Sequence, residues 1–212
     1  MGAATKFREA TRLDGTFKQA NPDSLARAQS VDTRITRGLA LLRGKRMTSA
    51  MAEFRKAQTL DSQGASDIVP ELAAGIGELL RYRGDSDVVD SALAAYREAV
   101  RWDTSFVPTA QTLNSLCWWG TLGGRARDVA GECEAAVKTS PDDGNIRDSR
   151  GLNRALNGNR IGAATDFQFF VTWSAGDSDY NRQRTERIAW IRDLKARRNP
   201  FTPRVLAQLR VE

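Results

Sequence analysis

The chain has 212 residues, of which 27% are charged and 41% hydrophobic, a composition that suits a soluble folded protein and not a disordered one. It contains no histidine, which excludes histidine triads, histidine general bases and histidine metal ligands. Its two cysteines, Cys117 and Cys133, are too few for a four-ligand zinc site or for the disulfide framework of a small secreted protein.

The net charge of +6 is concentrated in one segment near the C-terminus. Residues 182–198 carry seven basic and two acidic side chains, so nearly all of the surplus lies there. Such a segment could contact nucleic acid or an acidic partner. It could equally be the solvated face of a helix, and the sequence leaves both readings open.

Targeting signals are not evident in the sequence. Residues 1–6 lack the apolar run of a secretory signal, and no stretch approaches the roughly 18 consecutive apolar residues of a membrane span. We therefore expect a cytoplasmic protein without a membrane partner and with both thiols reduced.

Apolar residues recur three and four positions apart along most of the chain, which is the period of an α-helix. Residues 92–100 are an example, with alanines and Tyr96 on one face. Turn and cap residues separate these segments at 21–23, 61–64, 141–144 and 175–177. The sequence predicts an all-α protein with short connections.

A repeated pattern organises these helices. A small residue is followed by a large one four positions later and by a second small or aromatic residue three positions after that. Clear copies are Ala50/Phe54/Ala57, Ala92/Tyr96/Ala99 and Ala163/Phe167/Phe170, and weaker copies begin at Ala3 and Val129. The three positions share one helical face, so another helix can approach the small residues while the aromatic ring fills the remaining gap.

A second pattern precedes the copies. Gly151 is followed by Gly158 after seven residues, and the same spacing relates Gly77 to Gly84 and Cys117 to Gly124. We expect the first member to lie at a close contact between helices. The second member would supply a turn conformation that a side chain resists.

Paired helices with these patterns resemble the tetratricopeptide repeat (TPR) family, most specifically in the two copies 34 residues apart, from Val129 to Ala163. The resemblance implies a right-handed α-solenoid of stacked helical hairpins over residues 1–175, with a partial first copy. Residues 176–212 would form a basic capping helix and a short final helix. Residues 116–120 and 144–152 are also similar to bacterial TPR regions attached to caspase-like proteases, signalling NTPases or β-propellers.

The C-terminal part is predicted in more detail. A helix over residues 178–198 would turn Ile188, Ile191 and Leu194 inward and its arginines outward. Thr202 and the following proline would cap a short helix over residues 204–210.

In the TPR family the first helix of each repeat lines a concave groove. By that resemblance we expect the partner-binding residues to be Glu71, Glu78, Arg81, Tyr82, Gln111, Asn114, Trp118, Thr121, Asp148 and Leu152. Trp118 would be the aromatic anchor of this groove. The alternative is that Trp118 only packs against the adjacent repeat.

Three loops look like ligand sites but lack essential residues. Gly84–Asp87 and Gly176–Asp179 lack the further oxygen ligands and the terminal glutamate of a calcium loop, and Gly120–Arg125 lacks the Lys-Ser/Thr of a phosphate loop. Cys117 and Cys133 occupy structural positions of one hairpin, where packing could bring them close enough for a disulfide. We predict no catalytic, cofactor or metal site.

The sequence thus predicts a non-enzymatic module that binds a peptide or partner domain in its groove, in a scaffold or regulatory region of a bacterial signalling or defence protein. The alternative function is nucleic-acid binding through the C-terminal arginine-rich helix. The basic surface would then consist of Arg184, Arg187, Arg192, Lys195 and Arg198. The oligomeric state is left open.

Overall fold

A computed structural model of the chain describes residues 22–44, 46–62, 68–82 and 86–211, and the regular secondary structure in these ranges is entirely helical. The α-helices are α1 (Pro22–Arg43), α2 (Met47–Leu60), α3 (Val69–Tyr82), α4 (Ser86–Trp102), α5 (Ala110–Leu122), α6 (Ala130–Thr139), α7 (Gly144–Leu156), α8 (Arg160–Trp173), α9 (Asn181–Lys195) and α10 (Pro203–Leu209). A 3₁₀ turn, Ser178–Tyr180, precedes α9. The prediction of an all-α protein is confirmed for the described part of the chain. The partial copy at Ala3 and the turn at Gly84 lie outside the described residues.

The chain forms two compact units. One contains Met1–Ile76 with Ala94–Phe106, and the other contains Gly77–Leu93 with Val107–Glu212. Helices α3 and α4 each contribute to both units. The proposed division at residue 175 stays a prediction. Helices α8 and α9, which lie on either side of this position in the sequence, pack together within the second unit.

The first unit is built on the packing of α1 against α2. Ala50, Phe54 and Ala57 are fully buried, as the repeated pattern predicts. A Cβ atom added to Gly38 of α1 would lie 2.3 Å from the Phe54 ring, so the two helices approach each other at a glycine facing an aromatic ring.

The second unit is built from α5 to α9. Each of these helices packs against the next, and α5 also contacts α7. The last copy of the pattern is confirmed, because Ala163, Phe167 and Phe170 are buried. A Cβ on Gly151 would lie 2.8 Å from Phe167, which explains a glycine there. Gly77 differs, since its added Cβ would meet Ser115 at an ordinary 3.5 Å.

Two predicted turn glycines have the expected backbone. Gly124 has a φ of 83° and Gly158 a φ of 86°, in the left-handed region that side chains disfavour. Each glycine follows the end of a helix, after α5 and after α7. They let the chain reverse between the paired helices of the second unit.

The C-terminal helices differ from the prediction at several positions. Helix α9 is shorter than residues 178–198, and its Ile191 and Leu194 are buried as expected. Ile188, however, is 55% exposed and Arg187 only 3% exposed, so the predicted inward and outward directions are wrong at these two positions. The reason is an ion pair of Arg187, described below. The cap of α10 is confirmed: the Val205 amide donates to Thr202 Oγ1 over 3.3 Å.

Cys117 and Cys133 form a disulfide that joins α5 to α6. The expected proximity of the two sulfur atoms is therefore confirmed, and the expectation of reduced thiols is wrong. The expectation of a cytoplasmic protein suggested reduced thiols, but the packing of the hairpin brings both cysteines, each about 1% exposed, to the same buried contact.

Reducing this disulfide is expected to lower the free energy of unfolding by about 2–4 kcal/mol, because a cross-link over 16 residues restricts the unfolded chain. Urea denaturation with and without dithiothreitol measures the difference. A Cys117→Ala/Cys133→Ala variant is the control and should not respond to reductant. Equal midpoints for the wild type in both conditions would contradict the prediction.

Candidate binding pocket

A cavity of about 450 Å³ lies in the second unit. We call it the recognition pocket, and its lining residues are Gln111, Asn114, Ser115, Trp118, Trp119, Asn145, Asp148, Ser149, Phe170, Tyr180, Gln183 and Arg187. They come from α5, α7, α8, α9 and the 3₁₀ turn before α9. Its volume falls in the range of sites that hold a small molecule or a few peptide side chains.

Helix α5 contributes one continuous face. Thr109 caps the N-terminus of this helix, because its Oγ1 accepts a hydrogen bond from the Thr112 amide over 3.1 Å. Positions i, i+3 and i+7 lie on one side of a helix, and here they are Gln111, Asn114 and Trp118. Trp118 is half-buried, so its ring supplies an apolar surface that a ligand can still reach.

An ion pair between Arg187 of α9 and Asp148 of α7 also lines the recognition pocket. Arg187 Nε donates to Asp148 Oδ1 over 2.9 Å and Arg187 Nη2 donates to Asp148 Oδ2 over 2.7 Å. Asp148 is 6% exposed, so both charges are buried. A third bond runs from Arg187 Nη1 to Glu186 Oε2 over 2.9 Å. A bidentate pair of this kind is strong and fixed in direction, and it joins α9 to α7.

Aromatic rings support the same arginine. The guanidinium carbon of Arg187 lies 4.4 Å from the centre of the Trp190 ring and 5.6 Å from that of Phe170. Phe170 in turn makes an edge-to-face contact with Tyr180, with centroids 5.6 Å apart. Tyr180 accepts a hydrogen bond from Asn145 Nδ2 over 3.1 Å. The wall formed by α8 and α9 is therefore held in place from several directions.

Two acceptors in the recognition pocket have no hydrogen-bond partner within the described part of the chain. They are Asn114 Oδ1 and Gln183 Oε1, and both atoms are buried. Buried polar atoms are nearly always paired, because an unpaired one retains its desolvation cost. Both side chains line the recognition pocket, but each oxygen must turn toward the cavity before a ligand N–H group can reach it.

Four of the predicted groove residues meet in this pocket, namely Gln111, Asn114, Trp118 and Asp148. Thr121 and Leu152 do not line it. Thr121 is buried and accepts a hydrogen bond from Asn153 Nδ2 over 2.8 Å, and Leu152 is fully buried. The side chains of four further candidates lie outside the described residues, although their backbones belong to α3: Glu71, Glu78, Arg81 and Tyr82.

The sequence did not predict Tyr180, Gln183 or Arg187 as pocket residues. They lie in the segment assigned to a cap, and arginine in a basic run suggests a surface position. One signal was present: Arg187 shares the i, i+4, i+7 spacing with Ile191 and Leu194, which places it on the buried face of α9.

The predicted basic surface is only partly available. Arg184 donates to the carbonyl oxygens of Ser174 and Asp177, and Arg187 is buried. Arg192 and Arg198 remain exposed, but both donate to Asp193 and lower the pKa of its carboxyl, Arg198 most strongly. Lys195 is exposed and carries no ion pair with any described residue.

No protein-family model matches the chain, and no curated protein matches it. The TPR resemblance therefore depends on the spacing of residues within this sequence. Within the described ranges, no helix is both long and apolar enough to cross a membrane, and no group of three or more Cys, Asp or Glu side chains is arranged to hold a metal ion.

Replacing Arg187 by methionine should lower the free energy of unfolding by roughly 3–5 kcal/mol, because it leaves the charge of Asp148 buried without a partner. Urea denaturation followed by tryptophan fluorescence measures the loss. Arg192→Met is the matched control: its partner Asp193 lies near the surface, so the expected loss is below about 1 kcal/mol. An Arg187→Met variant as stable as the control would contradict the role given to this pair.

Proposed function

We propose that the chain is a non-enzymatic interaction module that binds an extended peptide segment of a partner protein in the recognition pocket. The proposal includes a TPR-like stacking of the helical hairpins, which would place α5 and α7 along the inner surface of a solenoid. One observation carries the proposal. Asn114 and Gln183, whose side-chain oxygens lack a hydrogen-bond partner in the described part of the chain, line the same cavity as the half-buried Trp118.

The chemistry of the recognition pocket matches a peptide backbone. An extended peptide presents N–H groups at regular intervals, and Asn114 Oδ1 and Gln183 Oε1 would each accept one once the side-chain amide turns toward the cavity. A side chain of the peptide can pack on Trp118, since tryptophan is a frequent anchor of binding energy at interfaces. Asp148 and Arg187 neutralise each other, so the lining favours an uncharged segment.

The same features do not favour catalysis. Both cysteines form the disulfide, and the chain has no histidine. Of the described residues that line the recognition pocket, only Asp148 carries a carboxylate, and Arg187 binds it bidentately. A general base must reach the proton that it removes, and this carboxylate is already occupied on both oxygens.

The proposal can be tested by selecting extended peptides from a displayed random 12-residue library on the wild-type protein. We expect selected peptides to lose about 30-fold in affinity on Trp118→Ala, a typical cost at an interface anchor. Asn114→Leu and Gln183→Leu should each cost about 2–10-fold, which corresponds to one hydrogen bond. Gln208→Leu, an exposed position on α10, is the control and should change nothing.

N-methylation of single backbone amides in the selected peptides gives an independent check. If Asn114 and Gln183 accept from peptide N–H groups, methylation at one or two positions weakens binding to the wild type but not to the corresponding leucine variant. Peptides that bind the wild type and the Trp118→Ala protein equally, with circular dichroism showing both folded, would refute the proposal.

A further inference from the structure

A second cavity, of about 580 Å³, lies in the second unit and shares no lining residue with the recognition pocket. It is formed by the N-terminal half of α8 and the C-terminal end of α9. Three cations line it, Arg160, Lys195 and Arg197. We call it the cationic pocket.

The cations of this pocket are not neutralised. Arg160, Lys195 and Arg197 are exposed, and none has an ion pair with a described residue. Several other arginines of the second unit behave differently, because they bind Asp166, Asp148 or Asp193. Among the residues that the structure describes, no carboxylate lines the cationic pocket. Its electrostatic potential is therefore positive and available to a ligand.

The floor of the pocket is apolar. Ala164 and Leu194 are buried there, while Ile161 is 85% exposed at its edge. An exposed isoleucine beside a buried leucine and alanine offers contact for one aliphatic side chain of a ligand. The remaining lining residues, Thr165 and Gln168, are uncharged.

The backbone at the rim has an unusual conformation. Arg197 has a φ of 59°, in the left-handed region that favours glycine. Its amide donates to the Leu194 carbonyl over 3.0 Å at the C-terminal end of α9. Glycine would fit this backbone conformation better, but the sequence has an arginine there, which adds a cation to the rim of the pocket.

We propose that the cationic pocket binds an acidic peptide segment in which one aliphatic side chain is flanked by carboxylates. The carboxylates would pair with Arg160, Lys195 and Arg197, and the aliphatic side chain would cover Ile161, Ala164 and Leu194. Charge complementarity and the mixed lining carry the proposal.

Two other classes of ligand fit less well. A lipid chain needs a deep apolar cavity, whereas here three apolar residues form an open floor. Single-stranded nucleic acid is usually held by aromatic rings stacked on the bases, and none of the described residues that line this pocket is aromatic. The site is independent of the recognition pocket, so either proposal can fail alone.

Fluorescence anisotropy with a labelled peptide tests the inference. The probe has one leucine with two glutamates on each side, in a glycine-serine frame. We expect binding at low ionic strength that weakens as salt is added. A probe with glutamines in place of the glutamates should not bind, and a probe with serine in place of the leucine should bind several-fold more weakly.

Two double variants with the same net charge separate the site from a general charge effect. Arg160→Glu/Lys195→Glu should weaken binding of the glutamate-leucine probe at least about tenfold, because both changes reverse the charge at the rim. Arg127→Glu/Arg204→Glu reverses two exposed cations elsewhere and should change affinity less than about twofold. Ile161→Ser keeps every cation and should weaken the leucine probe but not the serine probe.

Three results would overturn the proposal: no binding of the glutamate-leucine probe at low salt, equal losses in the two double variants, or tighter binding of dodecanoate or a single-stranded oligonucleotide than of the peptide. Circular dichroism of each variant confirms that it is folded. Should the Arg160→Glu/Lys195→Glu protein fail to fold, the Ile161→Ser comparison decides the question.

Discussion

The geometry of the second unit depends on the buried ion pair between Arg187 and Asp148. Two charges that are almost fully buried must pair with each other, so this pair fixes the position of α9, which packs on α8, relative to α7. Tyr180, Gln183 and Arg187 are spaced i, i+3 and i+7. Anchoring Arg187 therefore brings all three to the recognition pocket, opposite the i, i+3, i+7 face of α5. The pocket arises where these two faces meet.

A second buried carboxylate in the same unit follows the same principle. Asp166 is fully buried and accepts hydrogen bonds from Arg150 over 2.6 and 2.9 Å and from Arg154 over 2.9 Å. The planar guanidinium group can bind a carboxylate with two parallel bonds, which a lysine ammonium cannot do. The chain's preference for arginine, 26 residues against 6 lysines, is thus partly structural. A positive net charge in this protein is not in itself a sign of nucleic-acid binding.

Sequence reasoning succeeded where the contact is encoded by size and spacing. The glycine spacing predicted a close helix contact at Gly151, which faces Phe167 in the structure. The TPR resemblance assigned Asn114 and Trp118 to one groove, and both line the recognition pocket. It failed at Arg187, because the partner that buries it lies 39 residues earlier and nothing local indicates the pairing. The redox state of Cys117 and Cys133 was also missed, since it depends on the side-by-side packing of two helices and not on the number of cysteines.

Helices α8 and α9 contribute to both pockets but at opposite ends. Phe170 and Gln183 line the recognition pocket, whereas Ile161 and Leu194 line the cationic pocket. On α9, seven residues separate Arg187 of the recognition pocket from Leu194 of the cationic pocket, which corresponds to about 10 Å along the helix axis. Between them, Trp190 contacts Phe167 and Phe201 edge-on, with centroids 5.3 and 4.9 Å apart. This aromatic cluster keeps α8 and α9 in a fixed register, so each pocket has its own walls and its own electrostatics: neutral with unpaired acceptors at one end, cationic over an apolar floor at the other.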